Sequence, residues 1–447
     1  MKKRIFSMML VVAMAVSMFA GCGSGDAGEG NATGTETGNQ QEAREPVEIS
    51  FYTTETGKDD MFLAAIEDFE SKNPGITVEY IAAGDDQLQK WMSLYASNEG
   101  PTVSFMDPIN IFENQERMRP YDKTANPWLS QVSEAAFSTV TFDGQIYGVP
   151  GTAAGIGILY NKAVCDAAVG GDFDPSTIKS RSDLEELFQK IEATGAAGTM
   201  FTGVNWSIGS HFLGIAYGDA RGDLNTRLAF VADERAGKNL LAEDKVFNGL
   251  MDTFDMMAKY NYNKEDPLVG NVNLDAEALA TGKAGTWFMG DWAWTYMAAL
   301  VEEGQEFGLL PIPVSDDEND YYNTIIPTSY AKAYCVDASQ NTEAQQLAGQ
   351  KFVEYLVTDE YCTNLFATVC GQALPYANCT AEIESPLGRS TAAYIAAGLT
   401  YDFYGTADML PSDFWYENGA YMCEYLAGAC DRATMIEKME TYWQNQK

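Results

Sequence analysis

The chain has 447 residues, of which 46% are hydrophobic, enough for a large buried core and for two or more domains or lobes. It carries 28 Lys and Arg against 64 Asp and Glu, a formal net charge of −36. Such a surface repels phosphate backbones and anionic lipid head groups, which excludes nucleic acid as a partner and electrostatic attachment to a membrane.

The N-terminus has the pattern of an export signal. Three basic residues, Lys2–Arg4, precede an apolar run, Ile5–Ala20, that is too short to span a membrane. The run ends in "FAGC", which is similar to the lipobox of bacterial lipoproteins, although Phe19 stands where that motif usually has Leu. The motif implies a lipid on Cys22, and the alternative is an ordinary signal peptide with a stray cysteine.

The lipobox divides the chain into three parts. Residues 1–21 are the expected lipoprotein signal peptide. Residues 22–45 are small and polar without a large apolar side chain, which predicts a flexible tether. We therefore expect residues 46–447 to form a body that a lipid holds at the extracellular face of the bacterial cell membrane.

Seven cysteines remain besides Cys22, so they cannot all pair within one chain. None lies in a C-x-x-C motif and His211 is the single histidine, so we expect no metal site and no cofactor. Most cysteines have apolar neighbours, which favours buried free thiols. One disulfide among Cys362, Cys370 and Cys379 stays open for an exported protein.

The body begins with a parallel α/β pattern. The predicted elements are a strand at 47–54, a helix at 59–72, a strand at 76–82, a helix at 86–97 and a strand at 102–107. This βαβαβ order indicates a parallel sheet, in which ligands bind beyond the carboxyl ends of the strands. Glu55 and Asp107 follow two of these strand ends, so we expect both to face a cleft.

The pattern restarts after Gly144. We predict strands at 155–161, 284–289 and 307–313, helices at 182–191, 244–260, 275–281 and 291–301, and a mostly helical last quarter with helices at 342–356, 359–368, 416–428 and 434–447. Ser182 and Glu185 fit a capping box, and Asp291 fits an N-cap. Trp292 and Trp294, in "GDWAW", then lie about 200° apart around one helix and face different ways.

Five stretches in the same order resemble the family 1 extracellular solute-binding proteins of ABC importers, the carbohydrate-binding relatives of maltose-binding protein. They are "FESKNPGITVEY" at 69–80, "DGQIYGVPGTAAGIGILYNK" at 143–162, "ALATGKAGTWFMGDWAW" at 278–294, "FGLLPIP" at 307–313 and "SDFWYENGAYMCEYLAG" at 412–428. The "GDWAW" stretch is similar to the family's "GPWAW".

The resemblance implies an α/β fold of the type II periplasmic-binding-protein class, with a ligand cleft between two lobes and a helical C-terminal region. The implied limits are 46–142 with 331–380 for lobe 1 and 143–330 with 381–447 for lobe 2. Crossings between the lobes are then expected near 143, 328–330 and 381–385.

The same resemblance implies a set of ligand-binding residues and no catalytic residue. Aromatic stacking carries over to Trp292 and to Trp415 with its neighbour Tyr416, and more loosely to Trp206. The candidate polar contacts are Glu55, Asp86, Asp107, Asp291 and, at the second crossing, Tyr330. Each has an alternative role in packing, helix capping or solvent contact. "SFMDP" lacks the family's Trp-rich loop, so the identity of the sugar does not carry over.

Sugar chemistry agrees with these residue types. A pyranose has an apolar C–H face that matches a flat indole ring, and a rim of hydroxyls that pairs with carboxylates. We therefore expect a non-enzymatic, monomeric receptor that binds a carbohydrate, most simply an oligosaccharide, and delivers it to ABC permease subunits.

Two other functions compete with the receptor. One is a surface glycosidase with two facing carboxylates, although a glycosidase barrel would show about eight βα repeats. The other is a carbohydrate-binding adhesin without transport. A hydrolytic triad would need His211, and no G-x-S-x-G motif surrounds a candidate serine.

Overall fold

The computed structural model describes residues 46–55, 57–84, 87–218, 224–403, 405 and 409–446. The signal peptide, Cys22, the tether and Asp86 lie outside these residues. These described residues form one compact unit of mixed α and β structure. In the part that the structure describes, no helix is both long and apolar enough to cross a bilayer.

Twelve strands are present among these residues: β1 Val47–Thr53, β2 Ile76–Ala82, β3 Val103–Met106, β4 Thr141–Phe142, β5 Gln145–Ile146, β6 Val149–Pro150, β7 Ala154–Asn161, β8 Thr286–Gly290, β9 Phe307–Leu310, β10 Ile326–Ser329, β11 Ala333–Val336 and β12 Thr400–Asp402.

The α-helices of the described residues are α1 Asp59–Lys72, α2 Gln87–Ala96, α3 Pro108–Glu113, α4 Lys162–Val169, α5 Arg181–Thr194, α6 Leu213–Tyr217, α7 Leu224–Arg235, α8 Lys245–Lys259, α9 Val272–Ala280, α10 Trp294–Met297, α11 Glu343–Thr358, α12 Glu360–Cys370, α13 Pro386–Ala397, α14 Phe414–Leu426 and α15 Arg432–Asn445. A π-helix spans Trp206–Phe212.

The first sheet has the strand order β2-β1-β3-β11-β6. Strand β1 pairs in parallel with β2 and β3, which confirms the predicted βαβαβ unit, whereas β11 pairs antiparallel with β3 and with β6. The core lies between this sheet and helices α1 and α11, where Phe51 packs edge-on against Phe62 at 5.2 Å and Phe352 at 5.4 Å. Burying each such ring contributes about 1.5–3 kcal/mol.

The second sheet has the order β12-β10-β7-β8, with β9 also paired to β7. All eight residues of β7 are buried because side chains pack on both faces of the sheet. Phe288 of β8 joins the larger core, while its neighbours Trp287 and Met289 join a smaller core on the opposite face. The two sheets with separate cores confirm the predicted two-lobed α/β class.

Two predicted helix starts are wrong. The N-cap of α5 is Ser180, whose side chain accepts from the N–H of Asp183, while the Ser182 hydroxyl donates to Asp316. The helix predicted over 291–301 is only a 3₁₀ turn, Asp291–Ala293, followed by the short α10. Asp291 makes no capping bond there, because its carboxylate points into the interior and binds other segments.

The chain passes between the two sheets three times, at 151–153, at 330–332 and over 371–385. These crossings lie side by side: the N–H of Gly151 donates to the carbonyl of Lys332 at 2.9 Å, and the N–H of Ala153 donates to the carbonyl of Ala373 at 2.8 Å. The first crossing follows β6, which pairs within the first sheet, so residues 143–150 pack with that sheet and not with the second. The exact lobe limits stay a prediction, in which the first boundary moves from 143 to 151–153.

Candidate functional site

Two tryptophans that the sequence singled out pack against the single histidine, and a third is linked to it through Phe403. The His211 ring lies 5.5 Å from Trp206 and 5.0 Å from Trp292 between ring centroids. It is also 6.3 Å from Phe403, and Phe403 stacks on Trp415 at 6.1 Å. All three indoles are partly exposed. We call these five residues the aromatic cluster.

The π-helix and α14, which carry two of these tryptophans, pack against each other. It packs against α14 through a glycine pair: a Cβ on Gly209 would lie 2.2 Å from the Cα of Gly419. Only glycines allow the two backbones to approach so closely. A Cβ on Gly209 would also lie 2.8 Å from the carbonyl oxygen of Trp415, so the segments that carry Trp206 and Trp415 are held together. Single π-turns inside helices are frequent at functional sites.

Trp292 joins the cluster from the end of β8. Its ring folds back over Gly290, where a Cβ would meet ring carbons at 1.9 Å. The ring packs partly against both cores of the second sheet. Trp294 turns elsewhere, towards Phe307 at 6.4 Å between centroids. The prediction that Trp292 and Trp294 face different ways is therefore confirmed.

Asp291, the residue directly before Trp292, is fully buried, with 0% of its surface exposed. Its Oδ1 accepts from Gln372 Nε2 at 2.7 Å, and its Oδ2 accepts from the N–H of Gly155 at 3.0 Å and from Thr391 Oγ1 at 2.7 Å. Burial raises its pKa to about 6, against the lowering effect of these donors. The arrangement removes Asp291 from direct reach of a ligand in this conformation.

The first-sheet carboxylates are already paired with lysines. Glu55 contacts Lys58 Nζ at 2.8 Å, and Asp107 contacts Lys332 Nζ at 2.8 Å. Lys332 also donates to Thr54 Oγ1 at 2.7 Å, so it stands between the ends of β1 and β3. Burial by itself raises the pKa of Glu55, but the charges of Lys58 and Lys332 outweigh it and the pKa is lowered.

The two candidate tyrosines differ in exposure. Tyr330 is the first residue of the second crossing and packs partly against the first core, where burial, and then the charge of Asp402, raise its pKa. Tyr416 is 65% exposed, whereas its neighbour Trp415 belongs to the aromatic cluster.

His211 and Phe403 are the two members of the aromatic cluster that sequence reasoning did not place in the site, and His211 is the titratable one. Its Nδ1 is buried and has no hydrogen-bond partner among the described residues. Burial lowers its pKa to about 4, so the imidazole is neutral near pH 7. The signal for it was present in "NWSIGSH", which puts an aromatic and a titratable ring within one short segment. Only the tertiary structure shows that this histidine packs against Trp292.

A pocket of about 290 Å³ adjoins Glu55, one of the two paired carboxylates of the first sheet. Its lining combines the ion pair of Glu55 and Lys58 with aromatic side chains of the first core and with residues 151–152 of the first crossing. Seven cysteines of the described chain are free thiols, and no group of three or more His, Cys, Asp or Glu within that part can hold a metal ion.

Comparison with known proteins gives concordant results. The model of the family described as bacterial extracellular solute-binding protein matches residues 64–397. An uncharacterized ABC transporter extracellular-binding protein of Pyrococcus horikoshii is 24% identical over 319 residues, which are 69% of this chain and 70% of the relative.

Solved structures share the fold. The SBP RafE in complex with raffinose matches with a TM-score of 0.72 and 17% identity, over 90% of this chain and 100% of that one. A sugar transporter from Bacillus licheniformis in complex with stachyose matches with a TM-score of 0.70 and 16% identity, also over 90% and 100%.

Proposed function

Because this chain belongs to the family of bacterial extracellular solute-binding proteins, we propose that it is the receptor of an ABC importer and that its solute is an oligosaccharide. The observation that carries the sugar assignment is the aromatic cluster, which presents three partly exposed indoles together. Raffinose and stachyose, bound by the two structural neighbours, are oligosaccharides with several apolar ring faces.

The aromatic cluster suits a neutral sugar. Each pyranose face stacked on Trp206, Trp292 or Trp415 adds about 0.5–1.5 kcal/mol beyond the area it buries. His211 contributes a neutral ring rather than a cation, because its pKa is lowered to about 4. The floor of the proposed site is therefore apolar and uncharged at neutral pH.

The first sheet supplies the polar side of the proposed site. Glu55 and Asp107 accept hydrogen bonds from sugar hydroxyls, and Lys58 and Lys332 hold them in place and balance their charge. Two carboxylates and two ammonium groups leave no net charge, which favours a neutral ligand over an anionic one. Two tyrosines complete the proposed site. Tyr330 contributes from the second crossing, and the exposed Tyr416 contributes from the rim.

We propose that the lobes close around the sugar by bending at the three crossings, with the first boundary at 151–153. Contacts from both sides, available only when the lobes meet, then stabilise the closed state. In the same proposal a lipid on Cys22 and the tether at 22–45 hold the monomeric receptor beside its permease.

A glycosidase would need a carboxylic acid with a raised pKa facing the sugar. The pKa of Glu55 is lowered, and Asp291, whose pKa is raised to about 6, is buried beneath Trp292. The binding role is therefore favoured over hydrolysis, in keeping with the family.

The test is a thermal-shift titration of residues 46–447 with raffinose, stachyose and maltotriose. A ligand at a hundredfold excess over Kd stabilises by about 2.7 kcal/mol, which is visible as a rise in Tm. Trp292→Ala should abolish the rise while remaining folded, and Trp128→Ala, a partly buried tryptophan of the first core, should keep it. Release of reducing ends during incubation would refute the binding role, and no response to neutral sugars would refute the sugar assignment.

A further inference from the structure

The crossing segments and the "GDWAW" stretch meet at one buried carboxylate. Asp291 Oδ1 accepts from Gln372 in the third crossing, and Oδ2 accepts from the N–H of Gly155, two residues beyond the first crossing. The third donor, Thr391, lies on α13, which packs on β7 and β9 of the second sheet. A single side chain of the second lobe therefore holds the ends of two crossings.

Trp294, three residues after Asp291, makes a second contact with the third crossing. A Cβ on Gly371 would lie 2.9 Å from Trp294 Cδ1, so the indole of Trp294 packs directly on the chain beside Gln372. Trp292, between Asp291 and Trp294 in sequence, turns the other way and joins the aromatic cluster. One short stretch thus has two faces, one towards the proposed sugar and one towards the hinge.

We infer that Asp291 is a positioning residue that ties Trp292 to the first and third crossings, and that its bond to Gln372 sets how readily the lobes move relative to each other. The inference rests on the proposed closure of two lobes. It goes beyond that closure by naming the contact that couples the sugar platform to the hinge.

The bond from Gln372 to Asp291 joins the two lobes, whereas the bond from Thr391 to Asp291 lies within the second lobe. Gln372 lies in the segment that leaves α12 of the first lobe, so a change in lobe angle must stretch or break its bond to Asp291. Thr391 and Asp291 both belong to elements packed on the second sheet, so their bond moves with that sheet. A hydrogen bond to a carboxylate is stronger than one between neutral groups, and buried oxygen atoms that lose a donor are destabilised.

This difference supplies a matched pair of variants. Gln372→Met removes the donor from the crossing at similar size, and Thr391→Val removes the donor from α13 at similar size. Both leave the Asp291 carboxylate with two of its three donors. A purely structural brace would respond to both changes in the same way.

The experiment compares the ligand-free body, residues 46–447, of the two variants with the unchanged protein. Hydrogen exchange by mass spectrometry follows residues 371–385, and small-angle X-ray scattering gives the radius of gyration. For Gln372→Met we expect about tenfold faster exchange in 371–385 and a changed radius of gyration. For Thr391→Val we expect a lower Tm with both other quantities unchanged.

The inference is overturned if the two variants lower Tm alike and leave exchange in 371–385 and the radius of gyration as they were. Should Gln372→Met not fold, Gln372→Leu tests the same bond, because it removes the same donor with another apolar side chain. No sugar is present in these measurements, so failure of the sugar assignment would not change their result.

Discussion

Acidification should destabilise this protein through His211, its single histidine. The ordinary pKa of a histidine is about 6.5, and burial in the folded protein lowers it to about 4. The folded state therefore binds this proton less tightly than the unfolded chain does. The neutral ring contributes stability that is fully present above pH 6.5 and is lost as pH falls from 6.5 to 4.

The magnitude follows from the difference in pKa. A difference of about 2.5 units corresponds to about 3 kcal/mol in the free energy of unfolding. The ring is partly exposed, so solvent screening makes this figure an upper value. Nδ1 has no hydrogen-bond partner among the described residues, so the cost of charging the ring arises from desolvation beside Trp206 and Trp292.

The assay is urea unfolding of residues 46–447 at several pH values between 4 and 7.5, with His211→Phe alongside. The variant keeps a ring in the aromatic cluster but cannot take up a proton. The difference in unfolding free energy between the two proteins should change by up to about 3 kcal/mol over this range. Using the difference cancels the contributions of all other titrating groups.

Proton NMR supplies an independent check, because a single histidine gives a single Cε1–H signal to follow with pH. We expect that signal to titrate near pH 4. A titration midpoint near 6.5, together with parallel pH curves for the unchanged protein and His211→Phe, would refute the placement of a desolvated imidazole among the tryptophans.

Three further predictions concern single contacts. Asp291 should show the opposite pH dependence, because burial raises its folded pKa to about 6 against the lowering effect of its hydrogen-bond donors and of Lys58. The stability that it gives at low pH is therefore lost as pH rises from 4 to 6. Asp291→Asn should remove a change of about 3 kcal/mol in the free energy of unfolding over this range in urea unfolding, and the same pH dependence for both proteins would contradict it. Gly209→Ala should lower the free energy of unfolding by about 1–3 kcal/mol, because the added Cβ would overlap the α14 backbone. Gly171→Ala is the control, because its Cβ would meet nothing within 4 Å and should leave the urea midpoint unchanged. Equal midpoints for the two variants would refute the close approach of the two helices. Lys332→Met should lower Tm by several degrees because it leaves the half-buried Asp107 carboxylate without its ion-pair partner. An unchanged Tm in differential scanning calorimetry would show that this ion pair is solvated.

The local pattern of the sequence was enough for most of the elements. The predicted helix at 59–72 and the strand at 76–82 have the observed limits, since apolar spacing and the break at "NPG" are local signals. The same local rules were wrong for Asp291. A carboxylate before an aromatic run fits an N-cap, but three donors distant in sequence, 81 to 136 residues away, hold it in the interior.

The sequence by itself determined the family, the two α/β units and the tryptophans of "GDWAW", "NWSIGS" and "SDFWY", because these depend on composition, periodicity and order along the chain. Only the tertiary structure decided that the π-helix carrying Trp206 packs on α14 carrying Trp415, because this requires the glycine contact between them. It also decided that Asp107 pairs with a lysine from the second crossing, since Lys332 lies 225 residues further along the chain. Contacts of that range are set by packing, which no local pattern records.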